Sequence, residues 1–166
     1  GTGDHHTTRL CLGFLDQAMP AGCELLDMGC GSGILSIAAR LLGAGHVTGV
    51  DIDQLAVKIS HENAALNGVD DDRLTLHCGN VLQDTALADK LGEKKYDVIV
   101  ANIVADVIIA MAPLFARYLS DQGTLVVSGI ISERAEEVLE VLRRTGFAVE
   151  EMREENDWAA AVLHRA

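Results

Sequence analysis

Short apolar runs alternate with longer amphipathic stretches along most of the chain. The runs are Glu24–Met28, His46–Val50, Leu74–Cys78, Tyr96–Ala101 and Thr124–Ser128. They are rich in β-forming residues and bounded by Gly, Asp or Asn, which predicts a strand for each. Between them, apolar positions at helical spacing predict helices near Ile34–Leu42, Gln54–Asn67, Ala105–Leu119 and Glu133–Thr145. Asp53 and Ser132 stand where helix N-caps belong, and Gly68 and Gly146 where a left-handed glycine closes a helix. Arg143 and Arg144 complement the carboxyl end of the last helix, and Pro113 predicts a kink or a new helix start.

Strands alternating with helices imply a parallel sheet covered on both faces. The end of the chain departs from that rule. Phe147–Arg153 and Trp158–His164 are separated only by the acidic Glu154–Asp157, so they predict an antiparallel hairpin at the sheet edge. The apolar stretch Val98–Ala116 is interrupted by Asn102, Asp106 and Pro113, and reads as strand, turn and buried helix rather than a membrane span. No repeat, low-complexity segment or linker divides residues 1–166, which therefore read as one domain.

Composition narrows the function classes. With 13 Lys+Arg against 25 Asp+Glu the formal charge is −12, which argues against direct nucleic-acid binding and leaves a basic protein partner open. The apolar share of 49% argues against disorder. Four cysteines without a C-x-x-C pair read as reduced thiols in a cytoplasmic protein, and the polar first ten residues hold no signal peptide. The six histidines show no metal-ligand spacing, so no metal is expected.

The strongest chemical signal is Leu25-Leu26-Asp27-Met28-Gly29-Cys30-Gly31-Ser32-Gly33 followed by a helix. A buried strand ends in a turn where glycine lets a ligand approach the backbone, and the next helix offers free N–H groups to a carboxylate or a ribose. A dinucleotide fingerprint would need glycine at Ile34, so a nicotinamide cofactor is disfavoured. Asp51 ends the second strand, where a carboxylate can accept both hydroxyls of a ribose. Asn80 follows the third strand and is either an adenine reader or a turn residue. Asn102 follows the fourth, where it either positions an amino-acid moiety or nucleophile or caps the next helix. Thr7 or Thr8 is placed to cap a first helix whose apolar face holds Leu12, Leu15 and Met19. The acidic segment 150–157 is a solvated hairpin or a rim for a lysine-rich substrate.

Four segments together carry a family resemblance: Gly-Thr-Gly-x-His-x-Thr-Thr-x-Leu-Cys-Leu from Gly1, the run from Leu26 to Ala39, Ala101-Asn102-Ile103, and Ser128-Gly129-Ile130. The chain resembles the ribosomal protein L11 methyltransferase family. The resemblance implies an α/β, seven-stranded Rossmann-like fold of the S-adenosyl-L-methionine-dependent (class I) methyltransferases, with a C-terminal antiparallel hairpin. It implies S-adenosyl-L-methionine as cofactor, held by Thr8, Gly29, Asp51 and Asn102, to which the reading of the glycine turn and of the third strand's end adds Gly31, Gly33 and Asn80. It implies methyl transfer to lysine side chains and the N-terminal amine of a large-subunit ribosomal protein. Asn102 is then a positioning residue and His5 a candidate catalytic group. It also implies an N-terminal substrate-recognition domain, consistent with a chain that opens on Gly1-Thr2-Gly3. Other readings are a methyltransferase for another protein or a small molecule, and a non-catalytic adenosine-binding module.

Overall fold

A computed structural model describes the backbone of residues 4–166 and the side chains from His6 onward. Seven strands form one sheet in the order β3-β2-β1-β4-β5-β7-β6. They are β1 (Glu24–Met28), β2 (His46–Asp51), β3 (Leu74–Cys78), β4 (Tyr96–Asn102), β5 (Leu119–Ile131), β6 (Phe147–Glu155) and β7 (Trp158–Arg165). The first five run parallel, while β7 pairs antiparallel with both β5 and β6. The helices are α1 (Asp4–Ala18), α2 (Ile34–Leu41), α3 (Gln54–Leu66), α4 (Thr85–Leu91), α5 (Ala105–Tyr118) and α6 (Ala135–Arg144).

The central strands read as continuous apolar runs because both of their faces are buried. Leu26 and Met28 of β1 face one core with Ile99 and Ala101 of β4, covered by α4, α5 and α6 residues such as Leu87, Ile108 and Leu139. Leu25 joins Val98, Val100 and Val126 in the opposite core, covered by Phe14 and Leu15 of α1 and Leu35 of α2. Side chains alternate across a strand, so one pattern feeds two cores.

The hairpin closes through Asn156 and Asp157, both at positive φ (49° and 68°), the twist that two-residue hairpin turns require. Asp53 caps α3 by accepting the Leu55 N–H at 2.9 Å. Gly68 (φ 69°) and Gly146 (φ 112°) close α3 and α6 as their positions predict.

Several local expectations need correction. α4 has no predicted counterpart; Asp84 starts it by accepting the Leu87 N–H at 3.1 Å. Its seven residues, about two turns, give too few apolar repeats to stand out in a periodicity reading. α5 runs through Pro113 as one helix. β5 begins at Leu119, directly where α5 ends. Ser132 opens a 3-10 turn, and its buried hydroxyl has no partner, so it does not cap α6. α1 begins at Asp4, which puts Thr7 and Thr8 inside the helix rather than at its cap. Its buried face is Leu10, Cys11, Phe14 and Leu15; Leu12 and Met19 are only partly covered. His61 Nδ1 lies 2.9 Å from Asp70, and His164 lies 2.9 Å from Glu150 and 3.2 Å from the Gly123 carbonyl. All four cysteines are free. Among the described residues no helix is long and apolar enough to cross a membrane.

Candidate active site

The carboxyl ends of β1 to β4 open on one side of the sheet, and ligands of open α/β sheets bind at that edge where the strand order reverses. Here the reversal falls between β1 and β4, so the loops after Met28 and Asn102 face each other. Gly29 and Cys30 both donate their N–H groups to the Val50 carbonyl, at 2.8 and 2.9 Å, which folds the glycine loop over the end of β2. Gly29, Gly31 and Gly33 all take positive φ (80°, 56° and 86°). A side chain at Gly29 would meet Ile103 Cγ2 at 2.4 Å, whereas one at Gly31 would meet nothing within 4 Å. The first glycine permits close packing of the two facing loops; the second leaves open space for a ligand.

Asp51 binds the loop from the side. Its Oδ2 accepts the Gly31 N–H and its Oδ1 the Asp53 N–H, each at 2.9 Å. A carboxylate has about four acceptor sites, so each oxygen keeps one for a diol. Two residues of α3 complete the scaffold. Ser60 Oγ donates to the Gly31 carbonyl at 2.7 Å, and Asn63 Nδ2 to the Ser32 carbonyl at 2.9 Å.

Two cavities meet at Gly29. One, of about 360 Å³, is bounded by Asp51, Ile52 and Asn80 on one side and by Ile103, Val107 and Met111 on the other. Apart from Asp51 and Asn80 its side chains are apolar, the environment a planar base favours. The second, of about 390 Å³, is bounded by Thr8, Cys30, Gly31, Ser32, Ile34 and Asn102. The first therefore suits a nucleoside and the second a polar, flexible chain attached to it.

Thr8, Gly29, Gly31, Asp51, Asn80 and Asn102 thus all line this crevice. Gly33 lines neither cavity; it starts α2 and packs where a Cβ would lie 3.0 Å from Ser60. His5 is part of α1, and its side chain lies outside the described residues. Asn80 Oδ1 accepts the Leu82 N–H at 3.0 Å, so the turn role and the cavity position coexist. Asn102 ends β4, and α5 is entered through Val104 without a side-chain cap, so the helix-cap alternative for Asn102 does not hold. A Cβ at Gly129 (φ 80°) would lie 3.0 Å from Asn102 Oδ1, which explains the glycine after Ser128.

The thiols near the site are poor nucleophiles. Burial pushes Cys11 and Cys30 up to about 12, so both stay protonated at neutral pH. Beneath the loop Asp27 is fully buried, and burial pushes its carboxyl up to about 6 against the opposing pull of the Ser36 hydroxyl.

The residues missed at the sequence level are the apolar wall and the two loop holders on α3. Ile52 (71% exposed) and Val104 (62%) are the first residue after β2 and the second after β4. Apolar residues at loop positions beside candidate ligand groups are the available signal. Nothing local marks Ser60 or Asn63, because their partners lie about 30 positions away in the chain.

The strand order, the G-x-G-x-G turn and the acid at the end of β2 define the fold class of the S-adenosylmethionine-dependent methyltransferases. Comparison with known proteins narrows the class. The model of the family described as ribosomal protein L11 methyltransferase (PrmA) matches residues 1–166. The ribosomal protein L11 methyltransferase of Acetivibrio thermocellus is 44% identical over 163 residues, covering 98% of this chain and 49% of the relative. That of Thiobacillus denitrificans is 52% identical over 143 residues, covering 86% and 44%. The crystal structure of the ribosomal protein L11 methylase from Lactobacillus delbrueckii subsp. bulgaricus superposes with a TM-score of 0.88 at 32% identity, covering 97% of this chain and 79% of that one. The chain belongs to the ribosomal protein L11 methyltransferase family. It spans about half the length of the curated relatives it matches.

Proposed function

We propose that residues 1–166 form the catalytic part of a cytoplasmic S-adenosyl-L-methionine-dependent protein N-methyltransferase acting on ribosomal protein L11. The acceptors in this reading are amino groups, namely lysine side chains and the N-terminal amine. The reading is carried by one observation: an apolar cavity with Asp51 at its side and a polar cavity with Asn102 at its side meet at Gly29. Family membership supports the same substrate. Capture of the ribosomal protein is assigned to the part of the relatives' length that this chain does not span, and the net charge of −12 would favour encounter with a lysine-rich segment.

The residues fit the cofactor part by part. Ile103, Val107 and Met111 would cover the adenine, and Asp51 would accept the ribose hydroxyls. Gly31, with open space where its side chain would be, and Thr8 would bound the amino-acid end. When bound, S-adenosylmethionine would supply a sulfonium methyl group whose carbon an amine can attack in line, with the neutral thioether as leaving group.

The protein's task is alignment and dehydration of the amine. A lysine of ordinary pKa ~10.4 must lose a proton, at a cost of roughly 4–5 kcal/mol at pH 7. The exposed side chains of Ile34 (53%), at the start of α2, and Val104, just before α5, line one cavity each, and an amine held beside them loses hydration, which favours its neutral form. Asn102 Oδ1 would accept an N–H of such an amine, orienting its lone pair. The proton that the ammonium loses before transfer goes to water.

Calorimetric titration of this chain with S-adenosylmethionine, with NAD as control, tests the reading. Saturable binding of the former that Asp51→Ala weakens by tenfold or more, on the order of 1.4 kcal/mol, is the expected result. Binding of NAD instead, or binding indifferent to Asp51, overturns it.

A further inference from the structure

The helix that carries Thr8 is gripped from outside the crevice by the far end of the sheet. Glu155 is the last residue of β6, at the tip of the C-terminal hairpin. Its Oε1 lies 3.2 Å from His6 Nδ1 and also accepts a guanidinium N–H of Arg9. Asn156 Nδ2 stands 3.3 Å from His6 Nδ1 and 3.2 Å from Nε2. The tautomer with its proton on Nδ1 lets the ring donate to Glu155. The tip itself is fixed, because the Asp157 carbonyl accepts the Ser132 N–H at 2.9 Å.

His6 and Arg9 are three apart and share a face of α1. Thr8 lies between them in sequence and lines the polar cavity. From the sheet side, Ser128 Oγ donates to the Thr7 carbonyl at 3.2 Å. The apolar anchors of α1 begin only at Leu10. A helix start whose apolar anchors all lie further along frays unless polar contacts tie it down. Further along, Arg153 of the same hairpin lies over the Phe14 ring at 4.6 Å and donates to Gln17 Oε1 at 3.1 Å. The hairpin therefore runs beside α1 and closes on its first turns.

We propose that Glu155 is a positioning residue for the amino-acid end of the cofactor: through His6 and Arg9 it holds the first turns of α1 so that Thr8 stays against the polar cavity. The inference rests on the reading of the crevice as an S-adenosylmethionine site. It makes a ligand-specific statement that a general stabilising contact does not. Ligands that reach the polar cavity depend on Glu155; ligands confined to the apolar cavity do not.

The experiment uses two probes on this chain, S-adenosylhomocysteine, which has the amino-acid end, and 5′-methylthioadenosine, which lacks it. Glu155→Ala is expected to weaken the former about three- to tenfold, by lowering the fraction of molecules with α1 in place, and to leave the latter within about twofold. Arg9→Ala, at a side chain 59% exposed, is expected to show the same split without unfolding the protein, and Glu155→Gln a smaller one. Asp51→Ala should weaken both probes. Equal loss of both probes in Glu155→Ala and Arg9→Ala, or loss of neither, overturns the positioning role while leaving the cofactor reading intact. A wild-type chain that binds neither probe overturns the cofactor reading itself, and the positioning role with it.

Discussion

Asp27 on β1 and Ser36 on α2 meet at 2.7 Å beneath the glycine loop, the Ser36 hydroxyl donating to the buried carboxylate. Its other oxygen, Oδ1, is buried with no hydrogen-bond partner among the described residues. The ionised form is therefore costly, and burial raises the carboxyl to about 6 from an ordinary 3.8, with Asp51 adding a smaller push in the same direction.

The sign of the consequence follows from proton counting. Between about pH 4 and 6 the folded state holds a proton on Asp27 that the unfolded chain has lost, so stability falls as pH rises through this window. The full loss, reached above the folded value, is on the order of 3 kcal/mol. Thermal melts of wild type and Asp27→Asn across pH 4 to 8 are expected to diverge, the variant lacking the decline. Parallel curves would refute this account. Asp71 does not confuse the window, because the Arg40 guanidinium holds its carboxyl down to about 2; its contribution is present above pH 3.8 and is lost only as pH falls below that.

Two glycines of one loop should respond differently to the same methyl group. Gly29→Ala meets both a positive φ and Ile103 Cγ2 at 2.4 Å, and is expected to destabilise the fold by about 2–4 kcal/mol. Gly31→Ala meets only the positive φ and open space, so its expected cost is about 1–2 kcal/mol. Its methyl would stand beside the polar cavity, so ligand affinity should fall more than stability. Denaturant melts of both variants, with cofactor titration of the second, decide the matter. Equal destabilisation would mean that Ile103 moves aside freely.

Asn102 separates binding from chemistry. It lines the polar cavity opposite Thr8, with its Oδ1 packed close to Gly129. In the proposed reaction it orients the amine, a role realised only when methyl transfer begins. Asn102→Ala is expected to lower kcat by about 10–100-fold while cofactor affinity changes by less than about threefold. Single-turnover methylation of the ribosomal protein beside cofactor titration measures both. A variant with unchanged kcat removes the positioning role.

Much of the fold was legible along the chain because it rests on local rules. The boundaries of β1, β3 and α3, the cap at Asp53 and the closing glycines at Gly68 and Gly146 each depend on a few neighbouring residues. The hairpin was legible because two β-rich segments with no room for a helix between them have one short way to pair. α4 was not, because seven residues carry little periodicity. The start of α1 was not, because Thr7 and Thr8 suit a cap, whereas α1 starts at Asp4 and the Thr7 carbonyl takes a hydrogen bond from Ser128, 121 positions away.

The candidate site divides the same way. The types of residue at Gly29, Gly31, Asp51 and Asn102 and their places at strand ends were determined by the sequence alone, since the alternation of strands and helices sends every such end to one edge of the sheet. Which groups meet there was decided only by the tertiary structure. Asp51 on Gly31, Ser60 beneath the loop, Ile103 against Gly29 and Glu155 on His6 join residues from about 20 to about 150 positions apart. Contacts between such distant residues depend on how packed elements are oriented in space, and no local propensity encodes that orientation.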